Sequence, residues 1–346
     1  MNKKYIAIIL IIGFTAFIVK TLNDAGEFKT IVSHFDGECI SIYGNVGAED
    51  ITILSNGLAI ISSDDRRKTL AGNSVQGSIY AYDLKEKTPQ LINLTPTLPF
   101  NFHPHGISVH EIGDGSYIIA VVNHSQKGHF IEIFESKNKG LIHKQSIADP
   151  KLISPNDLVL INETQMYISN DHGSSSEWMK MIEDYLQLTR SNVVFYDGNK
   201  FTISAKGLGY ANGINISHDG NILYVAETVG KKITEYAIDK SSHGLTFIQS
   251  TEFNSGVDNI ELDNEGSLWI GSHPKLLTLT QHAKNSNILS PSQVFKLSIG
   301  AEHKIKEVYL NDGGKLSGSS VAAIWRNNLL IGPVLEDHFL HCVLKK

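Results

Sequence analysis

Hydrophobic and polar residues alternate in one pattern that occurs six times along the chain. Each copy begins with polar residues, continues through two apolar runs separated by a turn, and ends in polar or histidine residues. A period of two predicts β-strands, and the turn residues between the paired runs predict that each copy is a hairpin. The copies lie about 45 to 60 residues apart, the spacing of propeller blades, and start at Glu49, His105, Asn156, Asn212, Asp258 and Ser319.

The segments between these hairpins alternate again, as in 193–207 and 233–251. They are expected to supply two outer strands to each hairpin, which predicts an all-β, six-bladed β-propeller of four-stranded blades. The N-terminal segment around Cys39 and the C-terminal segment around Cys342 are expected to pair in the last blade and close the ring.

One helix is predicted between Ser174 and Arg190, where apolar residues recur at helical spacing and Ser176 can act as an N-cap. The segment follows the end of a hairpin, so one or two helices are expected on the active-site face. An amphipathic helix there would be a lid or a membrane-facing element, or it would pack on the propeller in the ordinary way.

The N-terminus indicates export. Lys3 and Lys4 precede an apolar run over 5–19, which Lys20 ends. A basic start followed by an apolar run is typical of a signal sequence, but the run is shorter than the roughly 20 residues of most spanning helices. We expect 1–22 to be a signal peptide or a retained signal-anchor that associates with a membrane, and 23–346 to form the propeller. The expected location is secreted, periplasmic or membrane-anchored on the extracytoplasmic side.

Charge and cysteine content indicate which partners and which cellular compartment to expect. The chain has 30 basic and 36 acidic residues and no basic stripe that could neutralise a run of phosphates, so nucleic acid is not an expected partner. The only cysteines are Cys39 and Cys342. In an oxidising compartment a disulfide between them is favoured, with two separate buried thiols as the alternative.

The first residue of each hairpin predicts a metal site. Inner strands of a propeller run beside the central axis, so equivalent positions converge there. Carboxylate and amide oxygens suit Ca²⁺ better than Zn²⁺, and Mg²⁺ demands a stricter geometry. The oxygen donors at or beside this position are Glu49, Asn156, Asn212, Asp258, Asn259 and Ser319. Asp50 and Asp157 follow two of them and would repel one another in a narrow channel without a second, structural cation.

Histidines are expected beside this metal. The second strand of a hairpin returns to the face where the first began, so Asp64, His124, His172, Glu227 and His273 should share one face. His105 and His124 start and end one hairpin and are predicted to pair, with His105 as a base near neutral pH. His172, His273 and Leu335 are the candidates for a substrate pocket.

From about Gly37 to Cys342 the chain resembles the paraoxonase/arylesterase family. The motifs that carry the resemblance are GAEDITILSNGLAIISS, FHPHGIS, VVNH, NDLV, SNDH, ANGINIS, VDNI, LWIGSHP and GSSVA. It implies a catalytic calcium on Glu49, Asn156, Asn212, Asp258 and Asn259, and a structural calcium on Asp50, Asp157 and the carbonyl of Ile107. It also implies that His105 accepts a proton with His124 as partner, that the two cysteines are bonded, and that the apolar N-terminus is retained.

The function expected from these residues is calcium-dependent hydrolysis of lactones and carboxylic (aryl) esters. Water deprotonated by His105 would attack a carbonyl bound to calcium, although an axial carboxylate such as Glu49 or Asp258 could also take the proton. Loop 64–68 is polar, whereas the family usually has an apolar loop here, so the resemblance does not determine the preferred substrate. The alternatives are a gluconolactonase-like sugar lactonase and a non-catalytic, calcium-stabilised binding propeller.

Overall fold

The computed structural model describes residues 3–113, 115–137 and 140–345. The strands in these ranges, in chain order, are β1 (His34–Phe35), β2 (Gly37–Tyr43), β3 (Asp50–Ile53), β4 (Leu58–Ser63), β5 (Ser78–Asp83), β6 (Leu91–Asn93), β7 (Pro104–Gly113), β8 (Ser116–Ser125), β9 (Gly128–Lys137), β10 (Gly140–Ile147), β11 (Pro155–Leu160), β12 (Met166–Asn170), β13 (Ser191–Tyr196), β14 (Phe201–Leu208), β15 (Ala211–Ile216), β16 (Ile222–Glu227), β17 (Lys232–Ile238), β18 (Leu245–Glu252), β19 (Gly256–Leu262), β20 (Leu268–His273), β21 (Ser292–Ser298), β22 (Lys304–Asn311), β23 (Ser319–Trp325), β24 (Asn328–Pro333) and β25 (His338–Leu344).

These strands form six antiparallel sheets within the described ranges. The sheets β3–β6, β7–β10, β11–β14 and β15–β18 each contain four strands in sequence order. Their first strands, with β19 and β23, contact one another around a closed ring. The predicted six-bladed propeller is therefore confirmed, with the first strand of each repeat innermost.

The ring is closed by the two ends of the chain, as predicted. Strand β2 pairs with β25 from Gly37 opposite Leu344 to Tyr43 opposite His338. Cys39 stands directly opposite Cys342, and the two form a disulfide. The two-residue strand β1 adds a fifth strand to the β19–β22 blade, which was not predicted because two residues carry no periodicity.

The hydrophobic core lies between neighbouring blades rather than inside any one of them. Ile60 and Ile79 of the first blade, for example, pack with Ile107, Ile119 and Phe134 of the second. Each fully buried side chain of this size contributes about 1.5–3 kcal/mol. Each blade packs in this way against both of its neighbours, so both faces of its inner strands are apolar. This packing also makes the central axis a rigid frame for a site.

Helices are few in the described part of the chain. They are α1 (Lys3–Asp24), α2 (Arg66–Leu70), α3 (Glu177–Tyr185) and α4 (Leu276–Lys284). The predicted helix at Ser174–Arg190 corresponds to α3 but is shorter at both ends. Ser176 holds the N-cap position, yet its side chain makes no capping hydrogen bond. Trp178 and Met181 are exposed, so ordinary packing does not account for the apolar face of this helix.

Helix α1 is exposed over 3–20 and half-buried at Thr21, Leu22 and Asp24. It is long and apolar enough to cross a membrane, with a mean hydropathy of 2.3. The residues that follow it bind the propeller. Glu27 accepts hydrogen bonds from the backbone N–H groups of Leu277 and Thr278, at 2.9 and 3.1 Å. Its carboxylate therefore satisfies free donors in the first turn of α4.

Candidate metal centre and active site

Backbone bulges aim the predicted ring residues at the axis. The strand pairing shifts register between Pro104 and Ile107 in β7, and between Pro155 and Leu158 in β11. Strands β15 and β19 shift in the same way. Bulges re-aim side chains and are frequent beside active sites. The residues inside these four bulges include His105, Asn156, Asn212, Asp258 and Asn259.

Two glycines allow the inner strands to approach closely at these bulges. A Cβ atom on Gly106 would overlap Oδ1 and Cα of Asp157. A Cβ atom on Gly213 would lie 2.5 Å from the carbonyl oxygen of Asp258. Because backbone atoms cannot move aside cheaply, the glycine that follows His105 or Asn212 keeps adjacent blades in contact at the level of the ring.

The five predicted catalytic-calcium ligands share one property. Each has a buried oxygen without a hydrogen-bond partner: Glu49 Oε2, Asn156 Oδ1, Asn212 Oδ1, Asp258 Oδ1 and Asn259 Oδ1. An unsatisfied buried polar group costs about 1–3 kcal/mol. Five such oxygens, supplied by two carboxylates and three amides, suit a hard cation with six to eight oxygen ligands.

The amide nitrogens of this ring are already bonded elsewhere, which orients the oxygens. Asn156 Nδ2 donates to Asp171 Oδ2 at 3.3 Å, and Asn212 Nδ2 donates to Thr228 Oγ1 at 3.0 Å. Asn259 Nδ2 donates to the carbonyl oxygen of Glu49 at 3.0 Å. No three His, Cys, Asp or Glu side chains in the described ranges form a metal-binding group, so the ring depends on its amides.

The two carboxylates of the ring differ in their electrostatic surroundings. Burial raises the pKa of Glu49, but the charges of His105 and Arg66 outweigh it and bring the pKa to about 2. Arg66 Nη2 lies 3.8 Å from Glu49 Oε2. Burial raises the pKa of Asp258 despite the hydrogen bond to His273, whose Nε2 lies 2.6 Å from Asp258 Oδ2. A cation at the ring would favour the ionised form of both.

Asp50 and Asp157 form a second buried acidic pair. Asp50 Oδ2 accepts from the N–H of Ile107 at 2.7 Å, and Asp157 Oδ2 accepts from the N–H of Ile214 at 2.8 Å. Each carboxylate thus ties its own inner strand to the next blade. Burial raises the pKa of both well above the ordinary value, and the charge of Asp157 raises that of Asp50 further.

Three histidines form a chain that leads away from the ring. His105 Nδ1 lies 2.7 Å from His124 Nε2, and His124 Nδ1 lies 2.8 Å from His129 Nδ1. His105 Nε2 lies 3.4 Å from Glu49 Oε1. Burial and the neighbouring histidines hold the pKa of His124 well below its ordinary value, and burial lowers the pKa of His129. His124 is therefore neutral near pH 7 and can both accept and donate a proton.

His129 was missed by the sequence reasoning. It lies on β9 directly opposite His124 on β8. The signal was present, because the two histidines are placed symmetrically about the turn at 126–127 that joins these strands. Residues so placed face each other across a hairpin.

The Arylesterase family model matches residues 31–344. The chain is 36% identical over 310 residues to human serum paraoxonase/arylesterase 1, covering 86% of each protein. It is 34% identical over 307 residues to human serum paraoxonase/arylesterase 2, again covering 86% of each. The chain belongs to the arylesterase family. It is accordingly an enzyme of the carboxylic ester hydrolase type, and the resemblance stated from the sequence motifs is confirmed.

Solved structures resemble this chain in fold. A gluconolactonase from Xanthomonas campestris superposes with a TM-score of 0.56 at 15% identity, covering 90% of each chain. The calcium-binding protein regucalcin from Agrobacterium tumefaciens superposes with a TM-score of 0.52 at 14% identity, covering 88% of this chain and 96% of that one. These similarities concern the propeller alone.

The remaining predicted site residues lie at separate points. His172 bridges Asp171 and Asp184, at 2.7 and 3.2 Å. His273 contacts the ring through Asp258, as described above. Leu335 is buried, and its carbonyl oxygen accepts a hydrogen bond from Arg67 at 3.0 Å.

Ser319 and Glu227 make contacts that the repeat position did not predict. Ser319, which was predicted on the axis, instead accepts a hydrogen bond from the N–H of Gln293 at 2.9 Å. Its neighbour Ser320 donates to the carbonyl oxygen of Glu49 at 2.6 Å. The bulge in β23 shifts the axial position by one residue. Glu227 accepts from the N–H of Gly209 at 2.6 Å and from Thr234 Oγ1, on the third strand of its blade, at 2.5 Å.

Proposed function

We propose that this protein opens lactones and cleaves carboxylic aryl esters with the help of calcium. The catalytic ion would be held by the five-residue ring Glu49, Asn156, Asn212, Asp258 and Asn259. The observation that carries the proposal is the set of five buried oxygens without hydrogen-bond partners, one on each of these residues. The similarity to serum paraoxonase/arylesterase 1 and 2 supports the ester substrates.

A second, structural calcium would be held by Asp50, Asp157 and the carbonyl oxygen of Ile107. Support comes from the raised pKa of both carboxyl groups: burial raises the pKa of each, and nearby carboxylates raise it further, Asp157 acting on Asp50 and Glu49 on both. Both carboxylates also hold backbone N–H groups of the next blade. An ion between them would therefore stabilise contacts between blades rather than take part in the reaction.

The histidine chain would supply the general base. His105 Nε2 faces Glu49, so it is the nitrogen able to take a proton from a water molecule at the ring. Calcium bound at the ring would polarise the substrate carbonyl and stabilise the negative charge that develops on its oxygen. The attacking hydroxide adds to the carbonyl carbon, and the ester oxygen leaves as an alcohol. For a lactone the product is a hydroxy acid.

The proton has a route away from the ring. When His105 gains a proton at Nε2, its Nδ1 proton can pass to His124 Nε2, 2.7 Å away. The proton on His124 Nδ1 can then pass to His129 Nδ1, 2.8 Å away. Each step returns the donating histidine to its neutral form. Because the pKa of His124 is low, His124 readily passes its extra proton on. His129 would therefore extend the pair expected from the sequence into a relay of three.

The test is turnover of phenyl acetate and a panel of γ- and δ-lactones with and without a chelator. We expect activity that requires calcium and that falls by roughly 100-fold or more in His105→Ala and Glu49→Ala. Full, chelator-insensitive lactonase activity in both variants would contradict the assignment. Silence on every substrate would favour the alternative of a non-catalytic, calcium-stabilised binding propeller.

A sugar lactone is the second candidate substrate class, and one feature favours it. Helix α2 and its flanks place Asp65, Arg66, Arg67 and Lys68 where the family usually has an apolar wall, and Arg66 lies beside the ring. Guanidinium and carboxylate groups can bond to hydroxyl groups that an aryl ester lacks. A kcat/KM for gluconolactone above that for phenyl acetate would select this candidate.

For the N-terminus we propose that 1–22 directs export as a signal peptide or a signal-anchor and that 23–346 forms the catalytic domain. The exposed apolar helix α1 and the disulfide support an extracytoplasmic location. N-terminal sequencing of the exported protein separates the two forms. A first residue after 22 indicates cleavage, whereas an intact start in the membrane fraction indicates an anchor.

A further inference from the structure

A serine, a histidine and an aspartate outside the calcium ring are linked in one line. Ser74 Oγ lies 2.8 Å from His103 Nε2, and His103 Nδ1 lies 2.8 Å from Asp64 Oδ1. The hydroxyl and the carboxylate therefore use opposite nitrogens of one imidazole. A nucleophile within hydrogen-bond reach of a base, with the base oriented by a third group, is the arrangement that activates a hydroxyl for acyl transfer.

The histidine and the aspartate are buried, whereas the serine is exposed, which is what acyl transfer to an outside substrate requires. Asp64 and His103 are 5% and 4% exposed, whereas Ser74 is exposed in the segment between α2 and β5. The carboxylate and imidazole thus interact in a dry environment, where hydrogen bonds to charged groups are strong. The hydroxyl, by contrast, is open to a substrate that does not have to enter the propeller axis.

The imidazole is held in one orientation by its surroundings. The N–H of His103 donates to Asn123 Oδ1 at 2.8 Å. Asn123 Nδ2 in turn donates to the carbonyl oxygen of Asn101 at 3.1 Å and to Glu132 Oε1 at 2.9 Å. These bonds fix the backbone from which the imidazole projects. With the Nδ1 proton directed at Asp64, Nε2 carries the lone pair that faces Ser74.

A side-chain amide lies beside the hydroxyl. Asn101 Nδ2 is 3.0 Å from His103 Nε2, and Asn101 Oδ1 accepts from the N–H of Gln126 at 3.0 Å, which orients the amide. Once Nε2 is protonated it can no longer accept from Asn101. The freed N–H can then donate to a developing oxyanion, a role that asparagine side chains fill in acyl transfer.

We propose that Ser74, His103 and Asp64 form a second acyl-transfer site, specific for carboxylic esters and independent of calcium. Ser74 Oγ attacks the ester carbonyl carbon while His103 Nε2 takes the hydroxyl proton. The tetrahedral intermediate collapses, the ester C–O bond breaks, and His103 returns the proton to the leaving alkoxide. A water molecule then cleaves the acyl-serine with the same base. No oxidant or reductant is needed.

The chain contains a matched cluster that lacks the required geometry. Ser146, His143 and Glu132 are the same residue types apart from Glu for Asp, and Ser146 is also exposed. There His143 Nε2 lies 2.8 Å from Glu132 Oε2 and 3.3 Å from Ser146 Oγ. Serine and carboxylate share one nitrogen, so the imidazole cannot take a proton from the serine while it donates to the glutamate. Ser146 is the internal control.

The experiment uses the full, calcium-loaded chain and an alkyl fluorophosphonate, which activated serines displace at phosphorus with loss of fluoride. Intact mass and peptide mapping locate the adduct. We expect one adduct per chain on Ser74 and none on Ser146. We also expect loss of the adduct in Ser74→Ala and labelling at least about 100-fold slower in His103→Gln and Asp64→Asn. Thermal melting of each variant shows whether it is folded.

Two results would overturn the proposal. One is the absence of an adduct on Ser74 in the folded wild-type chain. The other is unchanged labelling of Ser74 in either folded variant, His103→Gln or Asp64→Asn, because an unactivated surface hydroxyl needs neither partner. The readout does not depend on lactonase activity, so failure of the calcium assignment would leave this test intact.

Discussion

His105 and His124 face each other across the β7–β8 hairpin, with Nδ1 of the first 2.7 Å from Nε2 of the second. The pair was predicted from its position at the two ends of one repeat. What the fold adds is a third member: His124 uses its other nitrogen to contact His129, so it lies in the middle of a chain rather than at its end.

We predict that His124→Ala lowers kcat by about 100-fold, because the base then loses the partner that accepts its proton. His129→Ala should lower kcat less, and added imidazole buffer should restore part of it. Steady-state kinetics across buffers check this. The control is His218→Ala, since His218 lies at the surface, where its Nε2 is 2.8 Å from the carbonyl oxygen of Asp263. Equal losses in all three variants would rule out a relay.

Substitution of two buried asparagines should affect calcium affinity differently. Asn156 has an unpartnered oxygen, whereas Asn170 Oδ1 accepts from the N–H of Ser154 at 3.0 Å and its Nδ2 donates to the Lys151 carbonyl oxygen at 2.9 Å. Asn156→Ala should weaken calcium binding at least about tenfold. Asn170→Ala should lower Tm and leave the calcium Kd unchanged. Competition with a fluorescent chelator measures both, and identical Kd values would remove Asn156 from the ring.

Stability should depend on pH through His172. Burial lowers the pKa of His172, but the hydrogen bonds and charges of Asp171 and Asp184 outweigh it and raise the pKa to about 9. The stabilisation from protonated His172 is fully present below about pH 6.5 and is lost as pH rises through about 9. The Tm of His172→Gln should therefore fall below that of wild type at pH 6 and converge with it near pH 10. A gap that is constant over this range would contradict the pairing.

Removing the disulfide should destabilise the closed ring. The bond joins residues separated by 303 positions, and loss of a native disulfide typically costs about 2–5 kcal/mol. Cys39→Ser combined with Cys342→Ser should lower the free energy of unfolding by that amount in a urea titration. Wild type unfolded in the presence of reductant serves as the control and should match the double variant.

Much of the fold could be predicted because it repeats. Six hairpins with period-two alternation and turn residues define the blades, and glycines such as Gly57 and Gly220 adopt the positive φ that these turns require. Of the one or two helices expected, only one was located; the positions of α2 and α4 were not predicted because α2 is one charged turn and α4 has no side-chain cap. The ends of α3 were misplaced for a related reason: its apolar side chains face outward, so no core contact marks where the helix stops.

The site was predictable to the extent that repeat position determines it. Glu49, Asn156, Asn212 and Asp258 follow from equivalence between blades, but Ser320 replaces Ser319 because a bulge breaks that equivalence. Contacts made outside the inner hairpins were missed. His129 belongs to an outer strand, and Ser74, His103 and Asp64 come from three segments of irregular structure whose meeting depends on the path of loops.

Pairing of β2 with β25 has a consequence for cleavage of the backbone. Because Cys39 and Cys342 bracket the blades, a protease that cuts one exposed loop, such as the segment around Gly72, produces two fragments that stay covalently joined. The hydrogen-bonded closure lies away from the cut, so the nicked protein should keep its hydrodynamic radius. It should migrate as one band on a denaturing gel until reductant separates the halves.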